Sequence, residues 1–295
     1  MNPFDRPASE VIRTRFSCRS YLDVPLSESK REQIQRFIDS LPAGPFGTRP
    51  RFMLAAASEQ DNSSLRGLGT YGFIRGANAF VIGAAKPEGR WLEDFGYQME
   101  TIILYLTSLG LGTCWLGGSF TRSSFSQKIS LKDDEHIPTV TALGEYVDTA
   151  DTRRNLIRRF AKGDRRLPWE KLFFDRDFDH PLGESEAGSD QLALEMVRLA
   201  PSASNKQPWR VVRSGNDFHF YLQRTPGYRE SLLKKVLGIY DLQRVDMGIA
   251  LCHFDLTMKE LGIKGEWVVQ EPTFKKPGEL MEYAASWVAG DIGIL

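Results

Sequence analysis

The chain has 295 residues, of which 41% are hydrophobic and 26% are charged, which is enough to build one large body or two halves that share a core. Lysine and arginine total 38, and aspartate and glutamate also total 38, so no net charge draws the protein to nucleic acid or to an anionic membrane surface, and any anion site must be local. The three cysteines, Cys18, Cys114 and Cys252, form no C-x-x-C pair, so we expect reduced thiols in a cytoplasmic protein without disulfides.

The first part of the chain predicts helices and strands in alternation. Its N-terminus lacks the apolar core of a signal peptide. Residues 27–41 have apolar positions at helical spacing, with Ser27 as a candidate N-cap. Further along, the sequence predicts strands at 51–57 and 79–85, an apolar helix at 96–109 and a strand at 139–146.

One stretch is long enough to span a bilayer. Residues 101–121 carry no formal charge, and a membrane helix needs about 20 such residues. Four glycines and several hydroxyl residues interrupt it. A buried helix that ends in a glycine turn is the better interpretation, and we expect no membrane contact.

The composition then changes. Residues 151–171 are dense in arginine and read as a connecting segment, and residues 180–190 read as a loop. The remaining predicted elements are an amphipathic helix at 189–200, a strand pair at 209–215 and 217–223, a helix at 241–261, and final strands at 267–272 and 283–290.

An internal repeat links the two parts. The spacing from Gly96 to Gly110 equals that from Gly248 to Gly262, and a tryptophan follows each second glycine at the same distance. Glycine after a helix is common, so a chance match is an alternative. The matching order of elements favours duplication, with halves at 1–160 and 161–295.

Several motifs resemble those of the nitroreductase superfamily. APSASNKQPWRVV (200–212) resembles its P-S-x-x-N-x-Q-P-W motif, and RFSCRSY (15–21) resembles its R-x-S-x-R-x-F/Y motif. Residues 96–120 are similar to its long central helix with the following glycine turn, and LPWEKLFF (167–174) is similar to a segment near its C-terminus. The resemblance implies an α+β nitroreductase-like fold, with a central sheet flanked by helices and two pseudo-symmetric halves.

The order of the motifs departs from the usual family. There, both motifs lie close together in one short chain, and two chains form a dimer with FMN at each of two interface sites. Here the first motif lies in the first half and the second motif in the second half. This looks like a single chain that mimics the dimer and has lost one site, which implies a monomer with one FMN per chain.

The resemblance assigns the phosphate end of the flavin to the first motif. Arg15 and Ser17 would bind the phosphate, for which guanidinium and hydroxyl groups are suited. Arg19 would lie nearer the ribityl chain and the N1–O2 edge, and Arg153 and Arg154 would add a basic contact. The alternatives are a solvated turn at 15–19 and solvated arginines in a linker; a nucleic-acid patch lacks any supporting motif.

Two loops would contact the ring. Small residues of the second motif would approach it, and an asparagine and a glutamine would bond its polar atoms: Pro201, Ser202, Ala203, Asn205 and Gln207. Backbone N–H groups of Leu116, Gly117 and Gly118 would face flavin N5. The alternative for each loop is an ordinary turn that ends a helix.

The implied function is an oxidoreductase in which NADH or NADPH reduces FMN and a small-molecule acceptor then reoxidises it in a ping-pong reaction. Nitroaromatics, quinones and free flavins are candidate acceptors. The sequence shows no general acid, no paired metal ligands and no dinucleotide-binding G-x-G-x-x-G. A non-catalytic flavin-binding protein, for storage or sensing, is the main alternative, and a degenerate scaffold without flavin is a third.

Overall fold

Helices and strands alternate along the described part of the chain, which in this computed structural model comprises residues 3–57, 68, 70, 72–118, 120–146, 165–228 and 240–290. The helices described are α1 (Ala8–Thr14), α2 (Glu28–Asp39), α3 (Trp91–Ser108), α4 (Arg122–Lys128), α5 (Gln191–Leu199) and α6 (Leu242–Glu260). The strands described are β1 (Arg51–Ala56), β2 (Ala79–Ala84), β3 (Gly112–Leu116), β4 (Val140–Gly144), β5 (Phe173–Asp175), β6 (Trp209–Ser214), β7 (Asp217–Gln223), β8 (Gly265–Val268) and β9 (Met281–Ala289). The predicted α+β class is confirmed.

The expected central sheet is divided into two sheets. The first has the order β1, β2, β4, β3 and is antiparallel throughout. The second has the order β5, β6, β7, β9, β8, with only the β5–β6 pair parallel. Strand β2 is buried along its whole length, as expected for a continuous apolar run between two neighbours.

The two sheets share one plan when β5 is set aside. In the first, α2 precedes β1 and β2, and α3 precedes β3 and β4. In the second, α5 precedes β6 and β7, and α6 precedes β8 and β9. Both place the strands in the spatial order first, second, fourth, third. The match supports duplication, while a boundary at residue 160 stays a prediction because residues 147–164 lie outside the described part.

The long helices α3 and α6, buried on almost every side, cross where each carries a glycine. A Cβ on Gly96 would lie 2.2 Å from the carbonyl oxygen of Val245, and a Cβ on Gly248 would lie 2.0 Å from that of Glu93. Each carbonyl comes three residues before the glycine of its own helix, so the two contacts are counterparts. Only glycine allows this approach, and the repeat seen in the sequence thus marks the helix crossing.

The second glycine of each pair ends its helix. Gly110 and Gly262 have φ values of 77° and 73°, in the left-handed region that glycine favours after a helix. The repeat and the helix-terminating turn, treated as alternatives in the sequence, are therefore both present.

Four of the described helices and strands were not expected. Helices α1 and α4 and the short strand β5 were not predicted, and residues 112–116, which read as part of a glycine turn, form strand β3. Glycines lie next to β3 in the sequence, so its strand-forming residues Thr113 and Trp115 do not stand out as a strand pattern. Helix α3 also begins at Trp91, earlier than the predicted 96. None of the helices in the described part is long and apolar enough to cross a membrane.

Candidate functional site

A cavity of about 350 Å³ is lined by segments from both ends of the chain. They are the extended segment after α1, the turn after β3, the start of β4, the loop after α5 and the first turns of α6. Most of the predicted site residues lie in its wall: Ser17, Arg19, Leu116, Gly117, Gly118, Pro201, Ser202 and Ala203. Three motifs far apart in sequence are thus brought together.

The first motif is an extended strand-like segment on the edge of the first sheet. Ser17 pairs with Thr113 of β3 in a parallel bridge, and the Cys18 N–H donates to the Thr113 carbonyl at 2.8 Å. Alternate residues of an extended chain face opposite sides. Ser17 and Arg19 therefore line the cavity while Cys18 is fully buried, which explains the spacing of the motif.

Arg15 lies behind the cavity wall. Its Nε is 3.9 Å from Glu100 Oε1, and neither side chain is appreciably exposed. The same carboxylate is 2.9 Å from His253 Nε2 and accepts a hydrogen bond from Trp115 Nε1 at 2.8 Å. Arg15 is therefore held in a buried polar network at the α3–α6 crossing, and its contact with a phosphate stays a prediction.

Arg19 acts on the sulfur of Cys114, which also lines the cavity. Burial raises the pKa of the Cys114 thiol, while the charge of Arg19 and its hydrogen bond to the sulfur lower it in part. The guanidinium thus lies at the cavity wall, where an anionic group would meet it.

The turn after β3 packs on the start of α6. A Cβ at Gly117 would lie 2.6 Å from Cδ1 of Leu242, so the absence of a side chain lets the turn approach the helix. Leu242, Val245 and Ile249 form the apolar floor of the cavity. Their spacing puts them on one face of α6.

The loop after α5 contains strained backbone. Helix α5 ends because Pro201 disfavours a helical conformation at Ala200, whose ψ is 140°. Ser204, Asn205 and Gln207 then all have φ near 50°, a region that costs a non-glycine residue about 1–3 kcal/mol. Strain of this kind persists only where the surroundings hold it, and here hydrogen bonds hold the loop at both ends.

Asn205 and Gln207 hold the loop rather than line the cavity. Asn205 Nδ2 donates to the Arg165 carbonyl at 3.0 Å and its Oδ1 accepts from Arg166 at 2.9 Å. Gln207 is buried, accepts from the Leu167 N–H at 2.8 Å and donates to the Arg165 carbonyl at 3.1 Å. These bonds tie the loop to residues 165–167. A direct flavin contact from either side chain stays a prediction; Arg153 and Arg154 lie outside the described residues.

Two buried polar atoms in the wall lack a hydrogen-bond partner among the described residues. Thr139 Oγ1 and Asp246 Oδ2 are both covered, and both residues line the cavity. Sequence reasoning missed Asp246, although a signal existed: it is an acidic residue in an apolar helix, two residues before the repeated glycine. Unsatisfied buried polar atoms in a cavity wall are characteristic of a ligand site.

The corresponding place in the first half is built differently. Asp94, the counterpart of Asp246, accepts from the N–H groups of Phe46 and Thr48 at 2.9 and 2.7 Å. Arg90, the counterpart of Leu242, has its guanidinium carbon 5.8 Å from the ring centre of Phe46 and 5.9 Å from that of Tyr283. Local side chains and the loop after α2 thus occupy this region.

A second cavity, about 380 Å³, lies beside Arg90, with Glu93, Arg244 and Glu282 in its wall. Arg244 Nε is 2.8 Å from Glu93 Oε1, and Glu282 pairs with Arg224 at 2.8 Å. No residue of the loop at 41–52 lines this cavity. Arg51, at the end of that loop, pairs with Glu135 at 2.6 Å. The loop at 201–203 lines the first cavity, whereas the corresponding loop of the first half does not line the second.

Comparison with solved structures shows a common fold. A "putative nitroreductase" from Thermotoga maritima is 22% identical, and the match covers 96% of this chain and 94% of that one with a TM-score of 0.59. Shorter proteins match about half of this chain. An FMN-dependent nitroreductase from Clostridium difficile R20291 is 20% identical over 47% of this chain and 87% of its own (TM-score 0.38). A variant of an FMN and NADPH-dependent nitroreductase from sphigopyxis sp. strain HMH is 16% identical over 50% and 92% (TM-score 0.38).

The sequence itself matches a family model. None of the curated proteins compared with the chain matches it significantly. Residues 8–258, most of the chain, match the family described as "Putative TM nitroreductase". This range includes every cavity segment described above. The chain therefore belongs to this nitroreductase family.

Proposed function

We propose that this protein is an FMN-dependent NAD(P)H oxidoreductase of nitroreductase type, with one FMN between its two halves. The observation that carries the proposal is the convergence of the Ser17–Arg19 segment, the turn at 116–118 and the loop at 201–203 on one cavity. The chain belongs to a nitroreductase family, and two of the shorter proteins that match about half of it are FMN-dependent nitroreductases. The separation of these segments along the chain makes a chance convergence a poor explanation.

The residues of the cavity fit an anionic, planar cofactor. Ser17 supplies a hydroxyl for the phosphate, with Arg15 behind it, and Arg19 supplies a cation toward the ribityl chain and the N1–O2 edge. Ala203 and Gly117 are small enough to let backbone approach a ring. Thr139 Oγ1 and Asp246 Oδ2 have no hydrogen-bond partner among the described residues and can bond a ligand. The cavity volume of about 350 Å³ lies within the range of roughly 300–1,000 Å³ usual for ligand sites.

FMN, when bound, takes up a hydride from a reduced nicotinamide and passes two electrons to an organic acceptor. The chain's own residues bind and orient it. Leu116, Leu242 and Ile249 exclude water from the inner wall, and the positive charge of Arg19 favours the more negative, reduced form of the cofactor. Nicotinamide and acceptor use the same open face in turn, which makes the reaction ping-pong.

The test is an anaerobic titration of the purified, FMN-saturated chain with NADH and with NADPH. We expect the absorbance of oxidised flavin to disappear with one of the two, and to return when a quinone or a nitroaromatic compound is added. Bound flavin that neither nucleotide reduces would contradict the enzyme and identify a storage or sensing protein. A chain that takes up no FMN at all would refute flavin binding itself.

A further inference from the structure

Asp246 is an acidic side chain in the wall of the 350 Å³ cavity that we propose holds FMN. Oδ1 accepts a hydrogen bond from the Ala203 N–H at 2.9 Å. Oδ2 is buried and has no hydrogen-bond partner in the described part of the chain. The residue as a whole is 3% exposed. An unsatisfied buried oxygen costs the folded protein free energy, so its presence at a ligand cavity calls for a function.

The counterpart Asp94 shows what the same position does when it is only structural. It too lies two residues before the crossing glycine of its helix, and it too supports a loop before a strand, β1 for Asp94 and β6 for Asp246. Both of its oxygens are used, by the N–H groups of Phe46 and Thr48. Within the described part of the chain, the two halves therefore differ at this position by one carboxyl oxygen without a partner, and that oxygen lies in the half whose loop lines the cavity.

We propose that Asp246 is a cofactor-binding residue whose Oδ2 forms a direct hydrogen bond with the FMN in this cavity; the inference rests on the proposed function. Asp246 donates this hydrogen bond from a protonated carboxyl group, because an ionised carboxylate would repel the anionic FMN. The protonated Asp246 is a neutral donor, and its hydrogen bond becomes more favourable as the flavin gains negative charge on reduction.

The electrostatic surroundings agree with a protonated acid. Burial raises the pKa of Asp246 well above its ordinary value, the Ala203 N–H lowers it in part, and the charge of Asp241 raises it further. Within the described ranges, the charge of Asp246 also acts on Tyr228, whose pKa burial raises. Arg19 is the cation in the cavity wall, and it comes from the opposite end of the chain.

The direct test is the infrared difference spectrum between oxidised and chemically reduced protein, which does not depend on turnover. We expect a protonated-carboxyl band that shifts on flavin reduction in the wild type. Asp246→Asn keeps the acceptor for Ala203 and should lose the band, whereas Asp94→Asn should keep it. A band that survives in Asp246→Asn would overturn the inference. A wild-type chain that binds no FMN would instead refute the proposed function.

Stability against pH gives a second, flavin-free test on the full chain. With a raised pKa, the folded state holds a proton that the unfolded state releases, so the aspartate destabilises the fold increasingly as the pH rises above about 4, its unfolded pKa. Asp246→Asn should therefore unfold at a higher temperature than the wild type at pH 8, by about 2–4 °C, and at about the same temperature near pH 4. Asp94→Asn, which loses an acceptor for an N–H group, should unfold at a lower temperature. An Asp246→Asn variant less stable than the wild type at pH 8 would show that the carboxyl group is only structural.

Discussion

At the scale of single residues, Arg19 offers a direct test of flavin binding by the first motif. Arg15 lies 3.9 Å from the buried Glu100, whereas Arg19 lines the cavity itself. A charge-assisted hydrogen bond contributes roughly 1.5–3 kcal/mol. Arg19→Ala should therefore weaken FMN binding about 10-fold or more, measured by titration of the flavin-stripped chain. Arg13→Ala, an exposed arginine of the neighbouring helix, is the matched control and should change affinity less than twofold; equal losses would contradict a specific contact.

The sequence predicts about half of the residues that line the cavity, but not which motif residues contact the cavity and which hold the loop in place. Ser17, Arg19 and Ala203 belong to motifs that can be recognised in one dimension, and all of them reach the cavity. Asn205 belongs to the same motif as Ala203, yet its side chain bonds residues 165 and 166. No local sequence pattern connects residues 165 and 166 to the loop that contains Asn205. The sequence alone therefore does not indicate that Asn205 bonds them.

At the scale of secondary structure, the two glycines of each long helix act differently, and substitution should separate them. Gly248→Ala puts a Cβ against the carbonyl of Glu93 and the backbone nitrogen of Tyr97, neither of which is a flexible side-chain end. We expect a loss of at least about 3 kcal/mol in the free energy of unfolding, the upper part of the range for overpacking.

Gly262→Ala is the control for this substitution. It has open space around it and only a left-handed φ of 73° to accommodate, which costs about 1–2 kcal/mol. Denaturant unfolding measures both variants. Similar losses would argue against a close crossing of α3 and α6 at these positions.

Elements with a strong period are predicted well, and short ones are not. Helices α2 and α6 begin and end within two residues of their predicted bounds, since apolar spacing and capping residues mark them. Strand β3 was missed because glycines flank its five residues, and β5 because it has only three. Both are specified by their partners, β4 and β6, rather than by their own sequence.

At the scale of the whole molecule, two structurally similar parts of the chain differ in their chemistry. The common strand order and the reciprocal glycine contacts between α3 and α6 support an internal duplication. The two parts differ at single positions. Arg90 stands in the first half where Leu242 stands in the second, and N–H groups of the loop after α2 bond both carboxyl oxygens of Asp94. We propose that one flavin site was kept and the other was lost, so that a single chain needs no partner subunit to complete its site.

The amount of FMN bound per polypeptide tests whether one chain holds one complete flavin site. The full chain is saturated with FMN, freed of excess cofactor and denatured, and the released flavin is measured by absorbance against the protein concentration, with light scattering to give the mass in solution. We expect one equivalent of FMN per polypeptide, bound equally well when the chain is monomeric. Two equivalents, or a flavin bound only when two chains associate, would contradict the claim that one chain holds one complete site between its halves.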